Sequence, residues 1–182
     1  MHKILIAVAE GSEEMEAVIT VDVMRRAGWE VTVAAIAPGP VICSRKVKLL
    51  PDREWREIDP LEYDALVIPG GAPGVDRLMK DGGVLETLRI FDECGKWICA
   101  ICAGPLVLQA AGILKKQRLT CHPAVKEDLH TGMWMDEPVV RDGNLITSQG
   151  PGTCFEFALT IVSTLENPSA AQKIARGMVF EF

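Results

Sequence analysis

The residues of this chain best equipped for chemistry are a cysteine, a glutamate, a histidine and two adjacent glycines. Cys102 lies where the apolar run Trp97-Ile98-Cys99-Ala100-Ile101 meets Ala103-Gly104-Pro105. A buried strand, a reactive side chain, small neighbours and an immediate helix form the pattern of a nucleophile elbow, in which the backbone turns sharply under the reactive atom. The start of the new helix would aim free N–H groups and a positive dipole end at the sulfur. That field favours the thiolate, the form that attacks electrophiles and is oxidised. With six cysteines in the chain, filling space is the plain alternative for any one of them.

Glu16 follows Glu13 and Glu14 at the start of an amphipathic segment. Carboxylates are favoured near a helix N-terminus, which accounts for Glu13 and Glu14. Glu16 differs because Ala17, Thr20 and Val21 around it are small or apolar, so it is expected to face inward. Two anions at Cys102 and Glu16 would repel, raising one pKa. A protonated Glu16 donating to the thiolate resolves that conflict. Gly70-Gly71-Ala72-Pro73-Gly74 has neither the spacing of a dinucleotide fingerprint nor the lysine of a phosphate loop. It reads as a turn, or as a place where backbone approaches a ligand. In the second case the N–H groups of Gly71 and Ala103 would hold a developing oxyanion, with Gly70 beside the substrate. His122 precedes Pro123 at a strand end and is either a turn residue or part of the site; His2 and His130 read as surface positions. Cys99 and Cys102 match C-x-x-C, but in an extended strand they stand ~10 Å apart at about 3.3 Å per residue. A disulfide needs Cα atoms within roughly 7 Å. Neither a disulfide nor a metal site is expected there.

The elements that position these residues alternate along the chain. Strands are expected over Lys3 to Ala9, Glu30 to Ile36, Asp64 to Ile68, Trp97 to Ile101 and Arg118 to Cys121. Helices are expected over Glu13 to Ala27, near Val75–Lys80 and Val84–Cys94, from Gly104 to about Ala111, from Thr153 to about Leu165, and after Pro168. Val41 to Leu50 reads as a small hairpin or excursion, and Val139 to Thr147 as a hairpin around Asp142-Gly143. Strands separated by helices imply an α/β fold, a mostly parallel sheet with helices on both faces. Ligands then bind beyond the carboxyl ends of the strands. Four such ends carry Glu10-Gly11 with Glu16 following, Gly70-Gly71, Cys102 and His122, so one crevice is expected to gather them.

Bulk properties set the limits. A chain of 182 residues, 48% hydrophobic, is the size of one domain spanning 1–182. No stretch approaches the ~20 apolar residues of a membrane helix. The apolar run from Ile4 to Ala9 is followed at once by Glu10, Glu13 and Glu14, a first strand rather than a signal peptide. Scattered cysteines in a chain this large suggest free thiols in a reducing cytoplasm. A net charge of −6, with basic pairs far apart, argues against nucleic-acid binding.

In order along the chain, Gly11-Ser-Glu-Glu-Met-Glu16, Ile68-Pro-Gly-Gly71, Ala100-Ile-Cys-Ala-Gly-Pro105, His122-Pro123 and Ser148-Gln-Gly-Pro-Gly-Thr153 resemble the motifs of the ThiJ/PfpI superfamily. Within it the chain is most similar to the Parkinson-disease-associated protein deglycase subfamily, from the first strand to the helix ending near Leu165. The resemblance implies a flavodoxin-like three-layer sandwich, usually a homodimer, with no cofactor and no metal. It matches Cys102 to the family's oxidation-sensitive cysteine and Glu16 to the carboxylic acid touching it. Gly71 and Ala103 match its oxyanion donors, and His122 a nearby histidine. Leu50 stands where animal relatives carry a cysteine near the dimer interface. Cys43 keeps a second peripheral cysteine, and a buried or interface thiol is its simpler reading. Arg45 is a surface arginine or an attractant for an anionic substrate.

Three functions are consistent with these residues. The first is a cofactor-free glyoxalase or deglycase acting on methylglyoxal-type aldehydes or their early adducts on proteins and nucleotides. The second is a redox sensor and chaperone-like protective protein in which Cys102 becomes sulfinic acid. The third, a cysteine peptidase or amidotransferase, needs a histidine aligned by an acid, and Pro123-Ala124 offers His122 none.

Overall fold

A computed structural model describes all of residues 1–182. In chain order the first half holds β1 (Lys3–Val8), α1 (Glu14–Arg26), β2 (Glu30–Ala35), β3 (Val41–Ile42), β4 (Lys48–Leu49), β5 (Arg53–Glu54), β6 (Ala65–Ile68), α2 (Ala72–Leu78) and α3 (Gly82–Glu93). Then come β7 (Trp97–Ile101), α4 (Pro105–Ala111), β8 (Arg118–Leu119), β9 (Met133–Trp134), β10 (Val139–Asp142), β11 (Leu145–Ser148), α5 (Cys154–Leu165) and α6 (Pro168–Gly177). Seven strands form one sheet in the order β10-β11-β7-β6-β1-β2-β5. All neighbours are parallel except β10, which returns antiparallel on β11. No helix is long and apolar enough to cross a membrane.

Strand β1 shows why the chain makes a three-layer sandwich. Its side chains alternate between faces, and both faces are apolar: Ile4, Ile6 and Val8 point one way, Leu5 and Ala7 the other, all fully buried. The first set packs with Met24 of α1, Phe157 and Ile161 of α5 and Ala171 of α6. The second packs with Leu78 of α2, Leu88 and Phe91 of α3 and Leu108 of α4. Burying each such Leu, Ile or Phe is worth about 1.5–3 kcal/mol, so the central strands anchor both layers at once. The flavodoxin-like architecture expected from the sequence is therefore the one observed.

Three differences from the sequence reading bear on the site. The 118–121 segment does not join the main sheet: β8 pairs only with β9, in a two-stranded ribbon. Its loss from the sheet reflects the short β8, since Thr120 N–H is already given to the Thr147 hydroxyl (2.8 Å) on β11. The sequence gives no sign of β5, because Arg53-Glu54 is too short and polar to show a pattern. In α1 the apolar Met15 and Val18 face outward, while Glu14, Glu16 and Thr20 are buried. Hydrophobicity alone misplaces the first half of that helix, while Val23 and Met24 in its second half do face the core. The 41–50 excursion is a hairpin, with β3 antiparallel to β4, and it folds back over the start of α1.

Candidate active site

The site lies beyond the carboxyl ends of β1, β6 and β7. Here the connection from β1 leads to a helix on one face and that from β6 to helices on the other. Strand order reverses at this point, where open α/β sheets bind ligands. Cys102 follows β7 directly with φ +62°, left-handed backbone that non-glycine residues seldom adopt. The surroundings impose that strain, since the Cys102 N–H donates to Ser148 O (3.0 Å) and its carbonyl accepts from His122 N–H (2.9 Å). Gly104 is dictated by crowding: a Cβ there would sit 2.9 Å from Ile101 O and against Ile68 O. The elbow inferred from sequence is thus formed, and it is half-buried.

Glu16 reaches the elbow from α1. It is 1% exposed, and its Oε2 accepts from Gly70 N–H at 2.5 Å while Oε1 has no partner. Burial raises its pKa from 4.5 to about 7, outweighing hydrogen bonds from Gly70 N–H and the Cys102 side chain; the Glu13 charge adds to the rise. The inward orientation expected for Glu16 is what the backbone delivers. The effect on Cys102 differs from the expectation drawn from the elbow. Burial, then the charge and hydrogen bond of ionised Glu16, push the Cys102 thiol up to about 12, against lowering by the Gly71 and Ala103 N–H groups. The helix start does not depress this thiol, because burial outweighs it and the Glu16 charge adds to the rise. Glu16 and Cys102 titrate as a pair, holding one proton between them over a wide range above neutrality. Thiolate forms when that proton resides on Glu16, with Gly71 and Ala103 N–H groups donating to the sulfur.

The glycine pair has a different rationale from the one inferred. A Cβ on Gly70 would lie 2.6 Å from Cys102 Cβ, 2.8 Å from Glu16 Oε2 and 2.9 Å from Cys102 Sγ. Gly70 therefore keeps the cysteine and glutamate in contact; it is buried, and its N–H is committed to Glu16 rather than to a substrate. Gly71 has φ +87°, and a Cβ would meet the Glu13 N at 2.6 Å and overlap the Gly11 carbonyl. What demands these glycines is the close approach of the β6 end to the start of α1.

A cleft of about 330 Å³ opens above the sulfur, lined by Cys102, Gly71, Ala103, His122, Arg45 and Glu13 among others. That is near the lower end of the ~300–1,000 Å³ usual for small-molecule sites. His122 sits at the cleft through its main-chain bond to Cys102. Its Nδ1 accepts from Ala124 N–H (3.1 Å), which assigns the ring proton to Nε2, and no carboxylate lies within ion-pair distance of it. Arg45 is exposed on the rim. Glu13 and Ser44 also line the cleft and were not singled out from sequence; Glu13 resembles any carboxylate at a helix start, and Ser44 carries no signal of its own. Of the other cysteines, Cys43, Cys121 and Cys154 are buried, with thiols pushed up to about 11, 11 and 12, chiefly by burial. Cys99 is raised further still by burial alone, whereas Cys94 is exposed. His2 is not a plain surface residue: its ring meets Trp29 edge-on at 4.9 Å and bonds Leu165 O.

Comparison with known proteins agrees with this architecture. The model of the DJ-1/PfpI family matches residues 2–164. Drosophila melanogaster protein dj-1beta is 40% identical over 181 residues, covering 98% of this chain and 97% of the fly protein. A crystal structure of Drosophila melanogaster DJ-1beta superposes with a TM-score of 0.96, covering 100% of this chain and 99% of that one. The Caenorhabditis elegans glutathione-independent glyoxalase DJR-1.2 is 40% identical over 169 residues, 92% of this chain and 90% of the worm protein. Oxidised Toxoplasma gondii DJ-1 superposes at 0.96 with 35% identity and full coverage of both chains. Sequence and fold agree over nearly the whole chain, which belongs to the DJ-1/PfpI family.

Proposed function

We propose that this chain is a cofactor-independent glyoxalase or deglycase, in which Cys102 is the nucleophile and Glu16 the acid and base. The observation that carries the reading is the buried Glu16 carboxyl beside Cys102, with a pKa raised to about 7. A carboxyl near neutrality both releases and recovers protons at working pH. The Cys102 thiolate adds to the aldehyde carbon of methylglyoxal, and Glu16 protonates the resulting oxyanion to give a hemithioacetal. Ionised Glu16 then removes the proton from that carbon and returns it to the adjacent one through an enediol. The product is a lactoyl thioester, which water hydrolyses to lactate and free Cys102. Electrons move between neighbouring carbons of one substrate, so the sequence needs no external oxidant. In this reading the Gly71 and Ala103 N–H groups, which face the sulfur, steady the oxyanion. The name of the worm relative supports a glyoxalase assignment. The rim of the cleft, where Arg45 is exposed, is where an early adduct carried on a protein side chain or nucleotide enters. In this reading His122 guides protons through Nε2, and Arg45 attracts anionic groups at the rim.

The decisive test is lactate formation from methylglyoxal without glutathione, comparing this protein with Cys102→Ser. Turnover lost in the variant is expected. Equal turnover, or none in either protein, overturns the assignment.

A second reading, redox sensing through Cys102 sulfinic acid with a protective role under oxidative stress, rests on the same donors. Gly71, Ala103 and a protonated Glu16 surround the sulfur with hydrogen-bonding groups suited to added oxygens. A peptidase or amidotransferase ranks last, because His122 lacks an acid to align it. Homodimerisation is favoured by the outward apolar face of α1. There Met15 and Val18 are about half exposed, and Val18, with Leu50 at 80%, lines an apolar groove between α1 and β4. We assign the protein to the cytoplasm, where its free cysteines stay reduced.

A further inference from the structure

Helix α1 carries Glu16, yet it begins without a side-chain cap. Its N-cap residue, Glu13, makes no capping hydrogen bond. The Glu13 carboxylate instead turns to the β3–β4 hairpin, where the Ser44 hydroxyl stands 2.6 Å from Glu13 Oε2 and 2.8 Å from Glu14 Oε2. Arg45 N–H donates to Glu14 Oε1 at 2.8 Å. Burial tends to raise Glu14, but these donors outweigh it and hold the carboxyl below its ordinary value. The hairpin is fixed on the same stretch by main-chain bonds, Ser44 N–H to Ser12 O (2.9 Å) and Gly11 N–H to Ile42 O (2.8 Å). A left-handed Lys46, φ +71°, tightens the turn that presents Ser44.

We propose that Ser44 is a positioning residue whose hydroxyl clamps Glu13 and Glu14 and thereby sets the contact between Glu16 and Cys102. The path is short and continuous. Glu13 N–H donates to Gly70 O (3.0 Å), and Gly70 N–H donates to Glu16 Oε2 (2.5 Å). Gly70 in turn packs so closely on Cys102 that it has no room for a Cβ. A shift of the first turn of α1 therefore moves the Gly70 peptide and the carboxyl that touches the sulfur. A single hydroxyl hydrogen serves one carboxylate at a time, so Ser44 holds both acids only while the hairpin keeps them converged. The clamp also fixes the backbone of Arg45 at the cleft rim. It joins the cleft wall to the acid without touching the sulfur.

The test reads Cys102 directly and needs no turnover: the rate of Cys102 alkylation by iodoacetamide, followed by peptide mass between pH 5 and 9. It rests on the Glu16–Cys102 pairing described above. The charged and titratable groups facing Glu16 are Glu13 on its own helix, Cys102 at the elbow and Cys154 on α5; those facing the clamp are Arg45 and Cys43 on the hairpin. In the unaltered protein the rate should rise through about pH 7, as the pair loses its first proton. In Ser44→Ala the carboxyl loses its firm Gly70 donor, so the inflection moves upward and the rate at pH 6 falls roughly threefold or more. Ser44→Thr restores the hydroxyl and should restore the profile. A folded Ser44→Ala protein with an unchanged profile overturns the proposal. A flat profile in the unaltered protein overturns the pairing instead. Should Ser44→Ala not fold, Glu14→Gln decides: it leaves one acceptor for two donors and should shift the inflection the same way, while no shift refutes the clamp.

Discussion

Replacing Glu16 with glutamine should stabilise the protein at pH 8 and leave its stability nearly unchanged at pH 4. In the folded chain the Glu16 pKa is raised from its ordinary 4.5 to about 7, by burial before any other cause. The unfolded chain then gives up this proton at lower pH than the folded one. Below about pH 4.5 both states are protonated and the group costs nothing. Between 4.5 and 7 the unfolded state binds fewer protons, so stability falls as pH rises; above 7 the full penalty applies. The gap corresponds to roughly 3 kcal/mol, at about 1.4 kcal/mol per tenfold change in proton affinity. At 1% exposure, solvent screening removes little of it. Glutamine fills the same space, keeps an oxygen for Gly70 N–H and never ionises, so it recovers that energy only where glutamate is charged. Urea unfolding followed by fluorescence of the four tryptophans measures both proteins at pH 4 and 8, on either side of the pI near 5.1. All other carboxylates are common to both chains and cancel in the difference. A variant that is destabilised at pH 8, or whose advantage is equal at the two pH values, would refute the account of a buried, proton-holding Glu16.

Gly70→Ala forces a methyl between Cys102 and Glu16, at 2.6–2.9 Å from three of their atoms. Overpacking of this kind costs about 1–3 kcal/mol, and methylglyoxal turnover should drop at least tenfold in a protein that still folds; full activity would show that the contact is dispensable. Limiting peroxide should add two oxygens to Cys102 before any buried cysteine reacts, and mass mapping that finds Cys43 or Cys121 modified first would sink the redox reading. The exposed Cys94 is the competitor to watch, since it is the more accessible thiol. Val18→Glu places a charge on the outward face of α1 and should convert a dimer to monomers in sedimentation, whereas an unaltered sedimentation coefficient would remove that face from the interface.

Much of this site is legible in the chain because its parts sit at chemically marked boundaries. Cys102 stands between an apolar strand and a proline-started helix, and Gly70-Gly71 end another strand, so the positions of both follow from local pattern. The energetics are not local in the same way. The elbow by itself argues for a depressed thiol, yet burial, and after it a carboxyl arriving from 86 residues earlier in the chain, push that thiol up. The orientation of α1 is hidden for a related reason. Apolar periodicity assigns Met15 and Val18 to the core, but the helix buries Glu14, Glu16 and Thr20 and leaves the two apolar residues outside. A helix that turns acids inward gives up burial energy that its apolar side would have supplied. The inversion is stable because Gly70, Ser44 and Arg45 supply donors to those acids, and because Val23 and Met24 still reach the core about two turns beyond Glu16. The two exposed apolar residues and the buried acids are thus opposite sides of one rotation. The setting that brings Glu16 to Cys102 therefore also leaves an apolar surface facing outward on the same helix.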